Sequence, residues 1–334
     1  MKNNDVNLNF LDILKKDDHL LIIGGTGFFG RSILRLLMHQ NLKKKLNFKV
    51  TITSRNPDKF LSKYPEFLSL SWLHLIQFDV INSNNFGSKI NFTHIVHAAF
   101  DSSKNIINDS SYIHDSIVHG TKKILDILNT NRLKSFLFCS SGAVYNNFSV
   151  NHICRESDDI KKNIKLTSKD VYAESKLKAE KLCNRYFIDH RYPIKIARCF
   201  SFIGEDLFLS KHYAINDFIH KALNNEPIEI YSDGKQIRSY LYQEDLAIWL
   251  LKILIFGKNN NVYNVGSDKG YYLFELANII REVLCKNIIV NIKGSESLNP
   301  RLCYIPSIKK SRDELSLDVW TDLQTSITRT IGIH

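Results

Sequence analysis

No C-x-x-C pair occurs among the six cysteines, at positions 139, 154, 183, 199, 285 and 303, so neither a zinc site nor a dense disulfide framework is indicated. Free thiols in a reducing compartment are expected, and no metal site. No apolar run approaches the length of a membrane span, and the longest candidate, residues 248–256, is interrupted by Lys252. Residues 1–18 are polar and lack the basic-then-apolar order of a secretory signal. The expectation is a soluble, cytoplasmic protein with no membrane partner. Internal repeats, low-complexity tracts and long linkers are also missing, which argues for tightly packed units. Acidic residues are in deficit, 34 against 45 Lys plus Arg, for a net charge of +11. Such a balance suits an acidic ligand, a nucleic acid or an anionic membrane. Here the lysines are scattered, with only short clusters such as Lys43-Lys44-Lys45 and Lys309-Lys310. No basic stripe with interleaved aromatics is present, so the charge reads as a solvated surface and no nucleic-acid partner is expected.

What is present is 334 residues, 44% of them hydrophobic, enough for one large α/β domain with an appended lobe. Residues 20–23 form a short apolar run ending in glycines, and residues 28–37 carry apolar side chains at helical spacing. Further strand-like runs lie at 48–53, 73–78, 95–98, 136–138 and 194–197, with a helical pattern at 171–187. Strands alternating with helices predict an α/β fold with a doubly wound parallel (Rossmann) sheet. The pattern then changes. Helices are expected at 213–223, 245–255 and 273–284, separated by extended pieces at 228–231, 262–265 and 288–292. The expected organisation is an N-terminal extension (1–18), a dinucleotide-binding domain (19–197) and a smaller mixed C-terminal substrate lobe (198–334) over the carboxyl edge of the sheet, with some segments returning to the main sheet.

Gly24-Gly25-Thr26-Gly27-Phe28-Phe29-Gly30 directly follows the first strand and opens the first helix, the context that a G-x-x-G-x-x-G dinucleotide loop requires. Glycines let the backbone approach a pyrophosphate, and the unpaired N–H groups of the helix start face its charge. After the second strand, where an NAD-specific fold usually offers an acid to the ribose, the chain reads Thr53-Ser54-Arg55-Asn56-Pro57. Arg55 offers a planar cation to a 2′-phosphate instead, which favours NADP(H) and leaves NAD(H) open. The competing reading is an ordinary loop arginine.

Tyr172-Ala173-Glu174-Ser175-Lys176 sets a phenol and an ammonium four residues apart, on one face of a helix. A nearby cation favours the phenolate, so Lys176 would tune Tyr172 as a proton relay and could hold ribose hydroxyls. Alone, the pattern also fits an ordinary amphipathic helix. Residues 136–145, Phe-Leu-Phe-Cys-Ser-Ser-Gly-Ala-Val-Tyr, run as a buried strand into a polar turn, and Ser141 is the hydroxyl chosen to hydrogen-bond the reacting oxygen.

Together with Asp79-Val80, Val96-His97-Ala98-Ala99, Arg198-Cys199-Phe200, the stretch from Ser232 to Tyr240, Glu244-Asp245 and Tyr263-Asn264-Val265-Gly266, these motifs resemble the extended short-chain dehydrogenase/reductases, in their nucleotide-sugar epimerase/dehydratase branch. The resemblance covers roughly residues 19–332. It implies that Asp79 and Val80 adjoin the adenine, that Ala98 and Ala99 line the cofactor cleft, and that Ser141, Tyr172 and Lys176 are catalytic. It also implies that Arg238 grips a substrate diphosphate and that Asn216 lies near the nucleobase. A guanidinium fork does suit phosphate oxygens, although a surface charge flanking a helix would look the same. His97 reads as a packed structural histidine.

There are departures. Gly142 and Ala143 stand where related 4,6-dehydratases carry an Asp-Glu pair, so the acid and base for eliminating water are missing. Ser201 replaces a diphosphate-contacting Asn, and Ile117-Val118-His119-Gly120-Thr121 replaces N-V-x-G-T. Dehydration is therefore not expected, and with Arg55 favouring an exchangeable NADPH the expected activity is reduction of a 4-keto-6-deoxysugar nucleotide, in surface-polysaccharide or deoxysugar biosynthesis. The alternative is a nucleotide-sugar 4-epimerase with tightly bound NAD, and a remote one is a non-catalytic NAD(P)-sensing or RNA-binding protein. Many relatives pair through two helices, which here predicts a homodimer through segments 111–129 and 171–187.

Overall fold

A computed structural model of the chain describes residues 8–83, 92–100, 109–128, 130–145, 152–158, 160, 168–207, 213–284, 286–295 and 302–332. The chain divides into two compact units. One comprises Met1–Val144, Lys162–Arg198 and Ala247–Tyr263, the other Tyr145–Lys161, Cys199–Leu246 and Asn264–His334.

The first unit is built on a parallel sheet of β1 (His19–Ile23), β2 (Lys49–Ser54), β3 (Leu73–Gln77), β4 (His94–His97), β5 (Ser135–Ser141) and β6 (Ile194–Cys199), with β11 (Val262–Val265) as the seventh strand. The spatial order is β11-β6-β5-β4-β1-β2-β3, and β1 pairs in parallel with both β2 and β4. Between β1 and β4 the winding reverses, and such a switch point opens a ligand crevice at the carboxyl ends of the strands. Strands β4, β5 and β6 are buried along their whole length, as expected where helices cover both faces of a parallel sheet. The covering helices are α1 (Phe28–Lys43), α2 (Pro57–Lys63), α3 (Ser110–His114), α4 (Gly120–Ile127) and α5 (Ser168–His190). On one side Leu21, Ile23, Ile95, Phe136 and Phe138 of the strands pack with Ile117, Ile124, Ala179 and Cys183 of the helices. Helix α2 starts where it does because Asn56 caps it, accepting from the Lys59 N–H, and Pro57 occupies the first turn, where its missing N–H costs nothing.

The expected strand at 262–265 is present and closes the edge of this sheet. Segment 111–129 was expected as one helix. Over its described residues it is helical without a break from Ser110 to Ile127, with α3 and α4 continuous through a π-turn at Asp115–His119, and Asn129 lies outside the described residues.

The second unit holds β7 (Phe202–Ile203), β8 (Ile228–Ile230), β9 (Ile237–Ser239), β10 (Leu241–Tyr242), β12 (Gly270–Tyr272), β13 (Val290–Ile292) and β14 (Cys303–Tyr304) in small mixed sheets. They are accompanied by α6 (Ala214–Leu223), α8 (Leu273–Val283), α9 (Lys309–Leu315) and α10 (Leu323–Thr330), while α7 (Gln243–Phe256) begins in this unit and continues in the first. Its core gathers Ile215, Phe218 and Ile219 of α6 with Leu276, Ala277 and Ile280 of α8 and Ile327 of α10. Helices α9 and α10 were not foreseen. Five cysteines are buried free thiols, and Cys285 lies outside the described residues. Among the described residues no helix is long and apolar enough to cross a membrane.

Candidate functional site

The first β-to-α turn leaves β1 through Gly24, whose φ of +83° is the left-handed region that favours glycine. A Cβ there would also stand 2.7 Å from the Ala99 Cα, so the turn lies directly against the chain leaving β4. The turn is held by the Gly24 N–H donating to Thr53 Oγ1 at 3.1 Å and the Gly27 N–H donating to the Gly24 carbonyl at 3.0 Å. A Cβ on Gly30 would overlap the Gly25 backbone, so the missing side chain lets α1 start close against the turn. Gly27 is the N-cap of α1 and offers no side chain to the first N–H groups, and Phe28 and Phe29 open the helix with rings 5.9 Å apart. The result is an uncapped helix N-terminus next to a tight glycine turn, a cradle suited to a pyrophosphate.

In front of this turn lies a cleft of about 310 Å³ lined by Gly24, Thr26, Gly27, Arg55, Asp79, Val80, Ala98 and Ala99, with Phe100, Tyr112 and Ser116 on its walls. Eight residues singled out in the sequence for cofactor contacts thus share one cavity. Arg55 follows β2 directly and is exposed. The Asp79 carboxylate accepts from the Ile81 N–H at 2.8 Å and from Asn82 Nδ2 at 3.1 Å, which fixes the turn after β3 at the cleft edge. Gly120 brings the start of α4 against Val80, where a Cβ would stand 3.3 Å from the Val80 side chain.

Ser141 ends β5 as a buried hydroxyl, and its Oγ accepts from the Ala143 N–H at 3.2 Å. Helix α5 carries Tyr172, Lys176 and Glu180 at four-residue intervals, so all three lie along one face. The Lys176 ammonium is buried and donates to the Cys139 carbonyl of β5 at 2.8 Å. It lies 6.0 Å from the centre of the Tyr172 ring and 5.1 Å from that of Phe138. Tyr172 in turn packs on Phe100, a cleft residue, with centroids 5.0 Å apart. The lysine is thereby tied to the strand that ends in Ser141.

Glu180, buried on this face, had no role assigned from the sequence, and His97 was read there as structural. Glu180 accepts from Ser140 Oγ at 2.5 Å and from Arg198 at 3.0 Å (Nε) and 2.7 Å (Nη2). A charged residue inside strands that otherwise read as core requires a partner, and that was the available signal. His97 is buried, and burial pushes its pKa down to about 3, with the Lys176 charge acting in the same direction. The Thr121 hydroxyl donates to the Ile117 carbonyl, so His97 Nε2, 3.0 Å away, is the donor to Thr121 Oγ1. His97 is a neutral packed histidine, as its motif led one to expect.

Asn216 and Arg238 belong to the second unit. Asn216 is fully buried in the first turn of α6, where its amide donates to the Leu207 carbonyl at 2.8 Å. Arg238 lies within strand β9 rather than beside a helix. It donates to the Ile237 carbonyl at 3.0 Å and stacks over Tyr304 at 5.6 Å.

Solved structures share this architecture. UDP-glucose 4-epimerase from Thermotoga maritima, in a structure with UDP-glucose, superposes with a TM-score of 0.79 at 16% identity, covering 94% of this chain and 98% of the other. UDP-glucuronic acid 4-epimerase from Bacillus cereus, in complex with NAD, superposes with a TM-score of 0.76 at 20% identity, covering 94% and 98%. By sequence the chain is similar to a dTDP-D-glucose 4,6-dehydratase of Dictyostelium discoideum, 28% identical over 79% of this chain and 61% of that protein. It is also similar to UDP-glucuronic acid decarboxylase 1 of Arabidopsis thaliana, 26% identical over 49% of this chain and 37% of that protein. The chain therefore spans less than two thirds of the length of these curated relatives. The family model for the NAD dependent epimerase/dehydratase family matches residues 20–266, which take in the glycine turn, Ser141, Tyr172 and Lys176, and the chain belongs to that family.

Proposed function

We propose that the chain is a nicotinamide-dependent oxidoreductase acting on the sugar ring of a nucleotide-linked sugar, with Ser141, Tyr172 and Lys176 as catalytic residues. The observation that carries this reading is the buried Lys176 ammonium, held by the Cys139 carbonyl one helical turn from Tyr172 and on the strand that ends in Ser141. Gly24, Thr26, Gly27, Phe28, Phe29 and Gly30 hold the pyrophosphate at the start of α1. Asp79 and Val80 adjoin the adenine, and Ala98 and Ala99 form the wall beneath. A bound nicotinamide supplies or accepts hydride. Tyr172 delivers the matching proton to the reacting sugar oxygen, or removes it, and Ser141 Oγ hydrogen-bonds the same oxygen. The Lys176 charge favours the phenolate of Tyr172. Arg238 and Asn216 serve the nucleotide portion of the substrate.

In finer detail, Arg55 selects NADP(H) through the 2′-phosphate, and the reaction is reduction of a 4-keto-6-deoxysugar nucleotide. Similarity to a 4,6-dehydratase does not carry dehydration to this chain, because Gly142 and Ala143, in the short turn after Ser141, provide neither acid nor base. A second reading, a 4-epimerase with tightly held NAD, is favoured by the epimerases of like fold, one of them in complex with NAD, and needs the same three residues.

The experiment is to assay the purified protein for released nucleotide and to titrate NADPH and NADH by fluorescence, with Arg55→Asp as the comparison. Isolation without nucleotide, tighter NADPH binding and loss of that preference in Arg55→Asp support the reductase. Tightly retained NAD overturns the Arg55 assignment and selects the epimerase. Absence of binding by either nucleotide overturns the oxidoreductase reading altogether. Tyr172→Phe should lower kcat by about a hundredfold to ten-thousandfold on the accepted sugar nucleotide while leaving dinucleotide affinity near the parent value.

A further inference from the structure

The turn that brings Tyr112 and Ser116 to the cleft also gathers three metal-ligating side chains. In the π-turn at Asp115–His119, the Gly120 N–H donates to the Asp115 carbonyl five residues back. Residues five apart point about 140° apart around an α-helix. The wider π-turn brings them to one side. His114 and His119 consequently meet edge to face, with ring centroids 5.3 Å apart and planes at 89°. Asp115 Oδ1 lies 3.5 Å from His114 Nδ1 and 3.2 Å from His119 Nδ1. One donor atom from each of the three side chains lies within 4.8 Å of the others.

Both carboxylate separations are long for charge-assisted N–H···O bonds, which run about 2.7–2.9 Å. They do match the edges of a tetrahedron around a cation, since metal bonds of about 2.0–2.1 Å set neighbouring donors about 3.3–3.4 Å apart. The side chains of His114 and His119 keep 34% and 68% of their surface exposed, which leaves room for the rotations that close the histidine edge.

We propose that His114, Asp115 and His119 form a binding site for a borderline divalent transition-metal cation of the Zn²⁺ class. Two imidazoles and one carboxylate suit such ions, whereas Mg²⁺ and Ca²⁺ take all-oxygen sets. Three protein ligands leave the remaining position to water or a small anion. Ser116 sits between the ligands in the π-turn and Tyr112 just before them, and both line the cleft. The cation thus holds the π-register and, with it, one wall of the nucleotide pocket.

The test uses the untagged full-length chain, freed of metal with a chelator and titrated calorimetrically with ZnSO4 and, separately, MgCl2. The expected result is one Zn²⁺ per chain with a micromolar dissociation constant, a higher Tm with Zn²⁺, and no saturable Mg²⁺ binding. His119→Gln and Asp115→Asn should each weaken Zn²⁺ binding by about tenfold or more, while the metal-free Tm stays near the parent value, because the His119 side chain is 68% exposed and the near-isosteric Asn keeps the shape of the half-buried Asp115. Cu²⁺ in the same site should show nitrogen hyperfine coupling in its EPR spectrum that diminishes in His119→Gln. Zn²⁺ binding of undiminished strength in both variants would place the metal elsewhere and overturn the proposal, as would the absence of saturable binding by the parent chain.

Discussion

Glu180 of α5 and Arg198 of β6 form a two-pronged ion pair, 3.0 Å at Nε and 2.7 Å at Nη2, with each side chain only 6% exposed. Ser140, the residue before Ser141, donates to the same carboxylate. One carboxylate thus joins the helix of Tyr172 and Lys176 to the strand of Ser141 and to β6. Removing one partner strands the other charge in the core. Glu180→Ala should therefore cost about 3–5 kcal/mol of stability, read as a lower denaturation midpoint, and Glu180→Gln clearly less. Equal stability of Glu180→Ala and the parent would show that the pair is not buried as described.

Gly24 cannot be replaced without strain, because its φ is +83° and a Cβ would lie 2.7 Å from the Ala99 Cα. Gly24→Ala should lose about 1–3 kcal/mol of stability. Because the loop must shift from the cleft wall, dinucleotide affinity should fall as well. Gly332, also at positive φ but with nothing within 4 Å of its Cβ position, is the control. Gly332→Ala should leave nucleotide binding unchanged by fluorescence titration.

His97 makes the fold sensitive to acid. Its folded pKa of about 3 lies far below the ordinary 6.5. As pH falls through 6.5 the unfolded chain takes up a proton that the folded chain refuses. The stability from this site is therefore complete above pH 6.5 and is lost progressively below it, at up to about 1.4 kcal/mol per pH unit. Urea midpoints of His97→Asn and the parent, compared from pH 7 to pH 5, should converge as the pH falls. Parallel curves would refute the assignment.

Asp245 acts in the opposite sense. It is buried, and burial raises its pKa to about 6 although the Trp320 and Thr321 N–H groups and the Thr321 hydroxyl all donate to it. A carboxyl whose folded pKa is raised favours the fold most below its unfolded value near 3.8, and that contribution is lost as pH rises through 6. Asn at this position can accept from the two N–H groups through Oδ1 and donate to the Thr321 hydroxyl. Asp245→Asn should thus gain on the parent between pH 4 and pH 7, by an amount on the order of 2–3 kcal/mol. The difference between the two urea midpoints measures it, and a pH-independent difference would refute the shift.

The glycine turn and the Tyr172-Lys176 pair were legible because both are local. A φ that favours glycine, a helix start and an i,i+4 spacing are properties of a few consecutive residues, and the described turn and helix bear them out. The strands at 20–23, 48–53 and 73–78 appear within a residue or so of their expected bounds for the same reason. Three features were not legible. The pairing of Glu180 with Arg198 depends on how α5 lies across β6, the place of Val262–Val265 at the sheet edge depends on strand order, and the π-turn inserts one extra residue into a pattern that reads as continuous helix.

By itself the sequence determined the fold class, the glycine turn at the start of α1 and the placing of a phenol and an ammonium one helical turn apart, because each is written in short-range periodicity and backbone preference. Only the tertiary structure decided which buried charges pair, which wall of the cleft each loop forms and which side chains of the π-turn converge. Those outcomes depend on the register between elements distant in the chain and on the removal of water from between them, and neither is encoded in any single window of residues.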